Sequence, residues 1–251
     1  FLLRVPDNFH FIMGKSVTPR LLNFSPEGRL YQIEYALDAV KFGSNSIGIK
    51  NNSGALILTE KSQESILTEN CDVSKLIAFN SFLGCGITGL TSDARFLIQK
   101  TFAYLENNYF IFNSLPSTEN CVKKIRDLIS FSSFGENQDF VTSRPFGIAF
   151  LVIGFDFSGI NLFSVDPSGE YNLQNICALG GAHKEAVFTI KEGYRKKMSL
   201  KETKLLAKKT LRSILKKDFD DIKLEMGYIE EKKNIFLIDS NEEIKKNFEK
   251  I

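Results

Sequence analysis

Apolar residues recur at helical spacing from residue 30 onward, with Leu30, Ile33, Leu37 and Val40 forming one stripe. Ser25 and Pro26 ahead of the stripe carry a helix-start signature: a side-chain oxygen for a free backbone N–H, then a residue that lacks one. Glu27 adds negative charge at the positive end of the helix dipole, and Gly43 marks a stop. The pattern predicts a helix over 26–42. Tyr31, Tyr35, Ala36, Ala39 and Phe42 extend its apolar surface well past the roughly 100° stripe of an ordinary surface helix. Such a helix is expected to lie between two bodies, which implies an assembly.

Beyond residue 43 the period changes. Strands are predicted at 46–50 and 55–59 around the turn Asn51-Asn52-Ser53-Gly54, and at 74–79 and 82–87. Helices follow at 91–109 and 118–131, then strands at 147–155 and 162–166 ending in the turn Asp166-Pro167-Ser168-Gly169. Two more helices are predicted at 183–196 and 200–217, the second capped by Ser199. Strands at 222–229 and 235–238 and a charged helix from Asn241 complete the chain. Residues 1–23 show little periodicity and read as an irregular arm. Strands, helix pair, strands, helix pair, strands is the order of one α+β domain whose helix pairs cover a stacked pair of sheets.

Composition narrows the function classes. The 251 residues are 43% hydrophobic and 25% charged, as in ordinary globular proteins. A net charge of +2 gives no broad field for nucleic acid, and Arg195-Lys196-Lys197 and Lys208-Lys209 read as solvated helix faces. No apolar run approaches the ~18 residues of a membrane span, and Phe1-Leu2-Leu3 is too short for a secretion signal. Cys71, Cys85, Cys121 and Cys177 are scattered and read as reduced thiols of an intracellular protein. With His10 and His183 as the two histidines, a His-based metal site has little material, and no cofactor is expected. Location in cytoplasm and nucleus is the expectation.

The string Phe24-Ser25-Pro26-Glu27-Gly28-Arg29-Leu30-Tyr31-Gln32-Ile33-Glu34-Tyr35-Ala36 resembles the signature of the alpha-type subunits of the proteasome core particle. Gly89-Leu90-Thr91-Ser92-Asp93-Ala94-Arg95, Ser143-Arg144-Pro145-Phe146-Gly147 and Asp166-Pro167-Ser168-Gly169 resemble further stretches of the same family. The resemblance runs from about residue 23 to the C-terminus. It implies a four-layer α-β-β-α sandwich of the N-terminal nucleophile hydrolase type, with residues 1–23 as a gating arm ahead of a single domain over 24–251. It also implies a place in an outer ring that gates substrate entry. Its partners would be neighbouring alpha-type subunits, the beta-type subunits of the adjacent ring, and regulatory-particle ATPases or other activators. Asn107-Asn108-Tyr109-Phe110 and Met198-Ser199-Leu200-Lys201-Glu202 look most like the type-5 branch of these subunits.

Enzymes of that fold attack with the residue opening the first strand, whose own free α-amine serves as base. By resemblance the matching positions are Ser44, Glu60 and Lys75, while the serine that supports the nucleophile is replaced by Gly181. Ser44 lies inside the chain, so its nitrogen is an amide and no usable base near neutral pH. Cleavage between Gly43 and Ser44 would free the amine but detach the signature helix. The expectation is therefore no catalysis, with a stand-alone hydrolase using Ser44 as the alternative. No Ser-His-Asp set is legible, and Cys85 sits among apolar neighbours that keep a thiol protonated. Gly84-Cys85-Gly86 and Gly180-Gly181 form no phosphate-cradling loop, and close backbone packing is the expected reason for these glycines.

Lys75 has a second reading. It matches the family's lysine in the pocket between adjacent alpha-type subunits, where an ammonium can pair with the terminal carboxylate of an activator. Gly43 is a weaker member of that pocket, with its helix-stop role beside it, and an exposed strand-end lysine remains open for Lys75. In the arm the family's Tyr-Asp-Arg lock falls on Val17, Thr18 and Pro19, with Arg20 one place late. Val17 cannot donate a hydrogen bond and Thr18 carries no charge. Pro26 and Tyr35 match two further gate positions.

Overall fold

The computed structural model describes residues 24–61, 74–134, 144–215 and 223–239. The arm residues Val17, Thr18, Pro19 and Arg20, together with Cys71 and the helix expected from Asn241, lie outside them.

Ser25 does not open the first helix. Its oxygen accepts from Arg29 N at 2.9 Å, its carbonyl accepts from Gly28 N at 2.8 Å, and Gly28 adopts φ +78°. Ser25-Pro26-Glu27-Gly28 is thus a turn, with proline at its second position and glycine in the left-handed region. The helix α1 (Tyr31–Lys41) begins after it, with Leu30 as N-cap and no side-chain cap. Arg29 makes a two-pronged ion pair with Glu34 across the start of α1, at 2.8 and 2.6 Å.

The described residues then form two five-stranded antiparallel sheets. The first has the order β10-β9-β2-β1-β8 and contains β1 (Ser46–Asn51), β2 (Gly54–Lys61), β8 (Ile176–Leu179), β9 (Lys223–Glu230) and β10 (Phe236–Asp239). The second runs β3-β4-β5-β6-β7 and contains β3 (Leu76–Asn80), β4 (Leu83–Gly89), β5 (Ile148–Asp156), β6 (Gly159–Val165) and β7 (Tyr171–Leu173). The helices α2 (Thr91–Phe112) and α3 (Thr118–Phe134) pack on β4, β5 and β6, while α4 (His183–Gly193) and α5 (Leu200–Leu215) pack on β8, β2 and β1.

Side chains alternate across each strand and sort into three buried clusters. In β5, Ile148, Phe150 and Val152 face α2 and α3, while Leu151 and Ile153 face the other sheet. In β1 and β2, Ile47, Ile49, Leu56 and Leu58 face α4 and α5, whereas Ala55 and Ile57 join the cluster between the sheets. The inter-sheet cluster includes Phe236, whose ring occupies the space where Cβ atoms on Gly84 and Gly227 would sit, at 2.3 and 2.6 Å. The sheets approach this closely because both positions lack a side chain, as expected for Gly84.

Several boundaries depart from the sequence expectation. The strands β7 and β8 have no counterpart in the sequence pattern. They are edge strands of three and four residues, too short for a period to show. The helix expected to reach residue 196 ends at Gly193. Tyr194 is already extended, with its hydroxyl donating to Lys50 O at 2.8 Å. The helix expected to stop at residue 109 runs to Phe112, where Asn113 takes a left-handed conformation. Ser199 does cap α5: its oxygen accepts from Glu202 N, and the Glu202 carboxylate accepts from Ser199 N at 2.8 Å. Bonds donated by the Ser199 N–H and hydroxyl hold the Glu202 carboxyl below its ordinary pKa. Cys85, Cys121 and Cys177 are buried and unpaired. Burial pushes all three thiols up, Cys121 to about 12 and Cys177 to about 11, which keeps them protonated and unreactive.

Candidate functional site

The link from α1 into β1 carries the candidate residues. Gly43 N donates to Val40 O at 3.0 Å at the end of α1, so the helix does stop there. Gly43 is not among the left-handed glycines, however. A Cβ on it would lie 2.6 Å from Gly89 N, so the close pass of two backbone segments is what excludes a side chain. Ser44 follows, half-buried, two residues before β1.

Ser44, Glu60 and Lys75 do come together. Lys75 Nζ donates to Ser44 Oγ. Glu60, near the end of β2, accepts from both the backbone N and the side-chain amide of Asn45, at 3.3 and 3.2 Å. Lys75 is half-buried at the start of β3, which departs from the exposed strand-end reading. Burial lowers its pKa, opposed by the negative charges of Glu60 and Glu225 and aided by the positive charge of Lys61. Gly181 lies beside Lys41 O, 3.0 Å from where its Cβ would be.

Two residues escape the sequence reading. Asn45 ties the site together, because its Oδ1 also accepts from Ala182 N at 3.1 Å and so holds the loop after β8. Glu225 of β9 accepts from Lys75 N at 2.7 Å, Leu76 N at 3.2 Å and Ser74 Oγ at 3.1 Å, and lies 3.7 Å from Lys61 Nζ. One carboxylate thus moors the entry to β3 and fixes where Lys75 starts. An asparagine between Ser44 and a strand is a weak turn signal. Nothing local marks Glu225, which sits 150 residues from its partner.

The arrangement limits the chemistry. Ser44 is joined through its nitrogen to Gly43 and α1, so the hydroxyl has no α-amine to take its proton. The nearest candidate base, Lys75, already occupies it as a hydrogen-bond donor. The site is a polar junction of α1, β1, β2 and β3.

Pro26 is exposed in the turn before α1. Tyr35 is 63% exposed, its ring stacked on that of Tyr31 with centroids 6.4 Å apart. Phe42 is 92% exposed, while Ile33, Ala36 and Val40 are buried against the sandwich. The helix therefore has one covered face and one bare aromatic face.

A second junction joins two of the quoted motifs. Asp93, in the first turn of α2, accepts from both guanidinium branches of Arg144 at 2.8 Å and from Gly147 N at 3.0 Å. That pairing raises the Arg144 pKa further. Asp93→Ala removes two charge-assisted bonds and leaves a buried N–H without its acceptor. It should lower the unfolding free energy by about 2–3 kcal/mol, read as an earlier urea midpoint. An unchanged midpoint would show that this junction adds no stability.

These features coincide with known sequences. Residues 40–229 match the family described as Proteasome subunit, and residues 24–39 match the N-terminal signature of A-type proteasome subunits. The chain belongs to the proteasome subunit family. The N-terminal signature covers the Ser25–Gly28 turn and most of α1, including the exposed Tyr31 and Tyr35, and stops short of Phe42.

Relatives within the proteasome family agree. The chain is 34% identical over 219 residues to the probable alpha type-5 proteasome subunit of Schizosaccharomyces pombe, covering 86% of this chain and 89% of that one. It is 35% identical over 224 residues to the alpha type-5 proteasome subunit of Dictyostelium discoideum, covering 88% and 91%. The alpha type-5 proteasome subunit of Drosophila melanogaster is 30% identical over 230 residues, with 91% and 94% covered. These relatives bear out the resemblance of the chain to the type-5 branch.

Proposed function

We propose that this chain is a non-catalytic alpha-ring component of the 20S proteasome core particle, acting in ubiquitin-dependent protein degradation in cytoplasm and nucleus. The observation that carries the reading is α1: its buried face closes the site end of the domain, and its bare face offers Tyr35 and Phe42 to a neighbour. The helix also keeps Ser44 internal, which argues against catalysis by this chain. The three buried clusters support a four-layer α-β-β-α arrangement of the N-terminal nucleophile hydrolase type. On the same reading, residues 1–23 would serve as a gating arm ahead of the domain. Partners on this reading are adjoining alpha-type subunits, beta-type subunits of the next ring, and regulatory-particle ATPases or other activators.

Lys75 and Gly43 would contribute to an activator-tail pocket, and Pro26 and Tyr35 to the gate. Lys75 Nζ uses one N–H on Ser44 Oγ, and its remaining donors could meet an incoming carboxylate. The same contact is the one feature favouring the alternative, a stand-alone hydrolase freed by cleavage between Gly43 and Ser44.

Native chromatography with intact-mass analysis separates the two. A ring component elutes in a very large complex with residues ahead of Ser44 still attached. Elution near the 28.4 kDa chain mass, or a chain beginning at Ser44, would overturn the reading.

A further inference from the structure

Charge is divided unevenly over the domain. Residues 183–215, which include α4 and α5, hold ten lysines and arginines against three glutamates. They carry +7 in a chain whose total is +2, so the remainder is net negative. Lys184, Lys191, Arg195, Lys197, Lys201 and Lys209 are all exposed. Lys184, Phe188 and Lys191 share one face of α4 at helical spacing.

Phe188 is 66% exposed and is the one strongly exposed large apolar side chain of these two helices. It helps line a groove of about 470 Å³ between α4 and α5, with Lys184, Glu185, Thr189, Ser213 and Ile214. A lone exposed apolar side chain is unremarkable by itself. Here it forms the wall of a groove set in a basic surface, which pairs an anchor pocket with long-range attraction.

We propose that the α4–α5 face is a docking site for an acidic segment of another protein that places one apolar side chain against Phe188 and Ile214. Charge complementarity selects an acidic occupant, and the groove selects one with an anchor. A single-stranded nucleic acid would need several aromatic rings for successive bases to stack on, and Phe188 stands alone on these two helices. A membrane surface would require an apolar stripe along the helices, and this face offers one aromatic ring. The site is separate from α1, so the proposal does not rest on ring membership.

The test is fluorescence anisotropy on the purified 251-residue chain. The probe is a labelled peptide of about twelve Glu and Asp residues around one central Phe. The comparison probes are the same peptide with Gly at the centre, single-stranded oligothymidine and phosphatidylserine vesicles. The Phe-centred peptide should bind most tightly and weaken with added salt. Lys184→Glu with Lys191→Glu should weaken it about tenfold. Phe188→Ser, an exposed substitution expected to leave folding intact, should remove the preference for Phe over Gly at the peptide's centre. No binding, equal binding of the two peptides, or tighter binding of the oligonucleotide or vesicles would each overturn the proposal.

Discussion

Replacing Gly84 with alanine should cost about 3 kcal/mol or more of stability, a large share of the roughly 5–15 kcal/mol that holds a domain folded. The added Cβ would lie 2.3–2.5 Å from three atoms of the Phe236 ring, far inside contact distance. The ring cannot yield toward its own sheet, because it already lies where a Cβ on Gly227 would be, 2.6 Å from that position. The strain therefore passes into the spacing between the two sheets. Urea denaturation of the 251-residue chain gives the measurement. Phe236→Leu on the Gly84→Ala background should recover part of the loss, since the smaller side chain vacates the overlap. The double variant should then be more stable than the sum of the single effects implies. Additive losses would show that ring and glycine do not meet.

The second large effect concerns α1. Tyr35→Asp with Phe42→Asp alters two side chains that are 63% and 92% exposed, so the isolated chain should keep its stability to within about 0.5 kcal/mol. Incorporation into the particle should fall far more. Full burial of one such aromatic ring contributes roughly 2–3 kcal/mol, and an unpaired carboxylate in its place adds a desolvation cost. Expression of the tagged variant beside the native chain should leave over ~90% of the tag outside the large complex, since 1.4 kcal/mol is already a factor of ten. Normal incorporation would remove α1 from the proposed interface.

The legible parts of this fold are those where a local pattern and the tertiary result share a cause. The near-unbroken apolar runs of β2 and β5 follow from burial on both faces, and the Ser199–Glu202 cap closes within four residues. The start of α1 is ambiguous in sequence because Ser-Pro serves two structures equally well, a helix entry and a turn. Gly28 in a left-handed conformation decides for the turn. The strands β7 and β8 leave no local trace because their existence depends on a neighbour's edge.

The candidate site divides the same way. Ser44, Glu60 and Lys75 can be placed from motifs along the chain. Asn45 and Glu225 act by accepting from backbone N–H groups across long separations, and no motif marks such a role. Asp93 and Arg144 each stand inside a quoted stretch, but their pairing lies in the fold, 51 residues apart along the chain.

The order of strands in the first sheet also sets a schedule during synthesis. On its outer side β2 pairs with β9 from Gly54↔Glu230 to Lys61↔Lys223. When β2 leaves the ribosome, that neighbour is still some 160 residues from being made. At about 5–20 residues per second, the edge of β2 waits roughly ten to thirty seconds for its partner. Over that interval a nearly all-buried strand presents open backbone groups to any other nascent chain. The place of β9 and β10 late in the sequence thus sets how long the β2 edge stays open during translation.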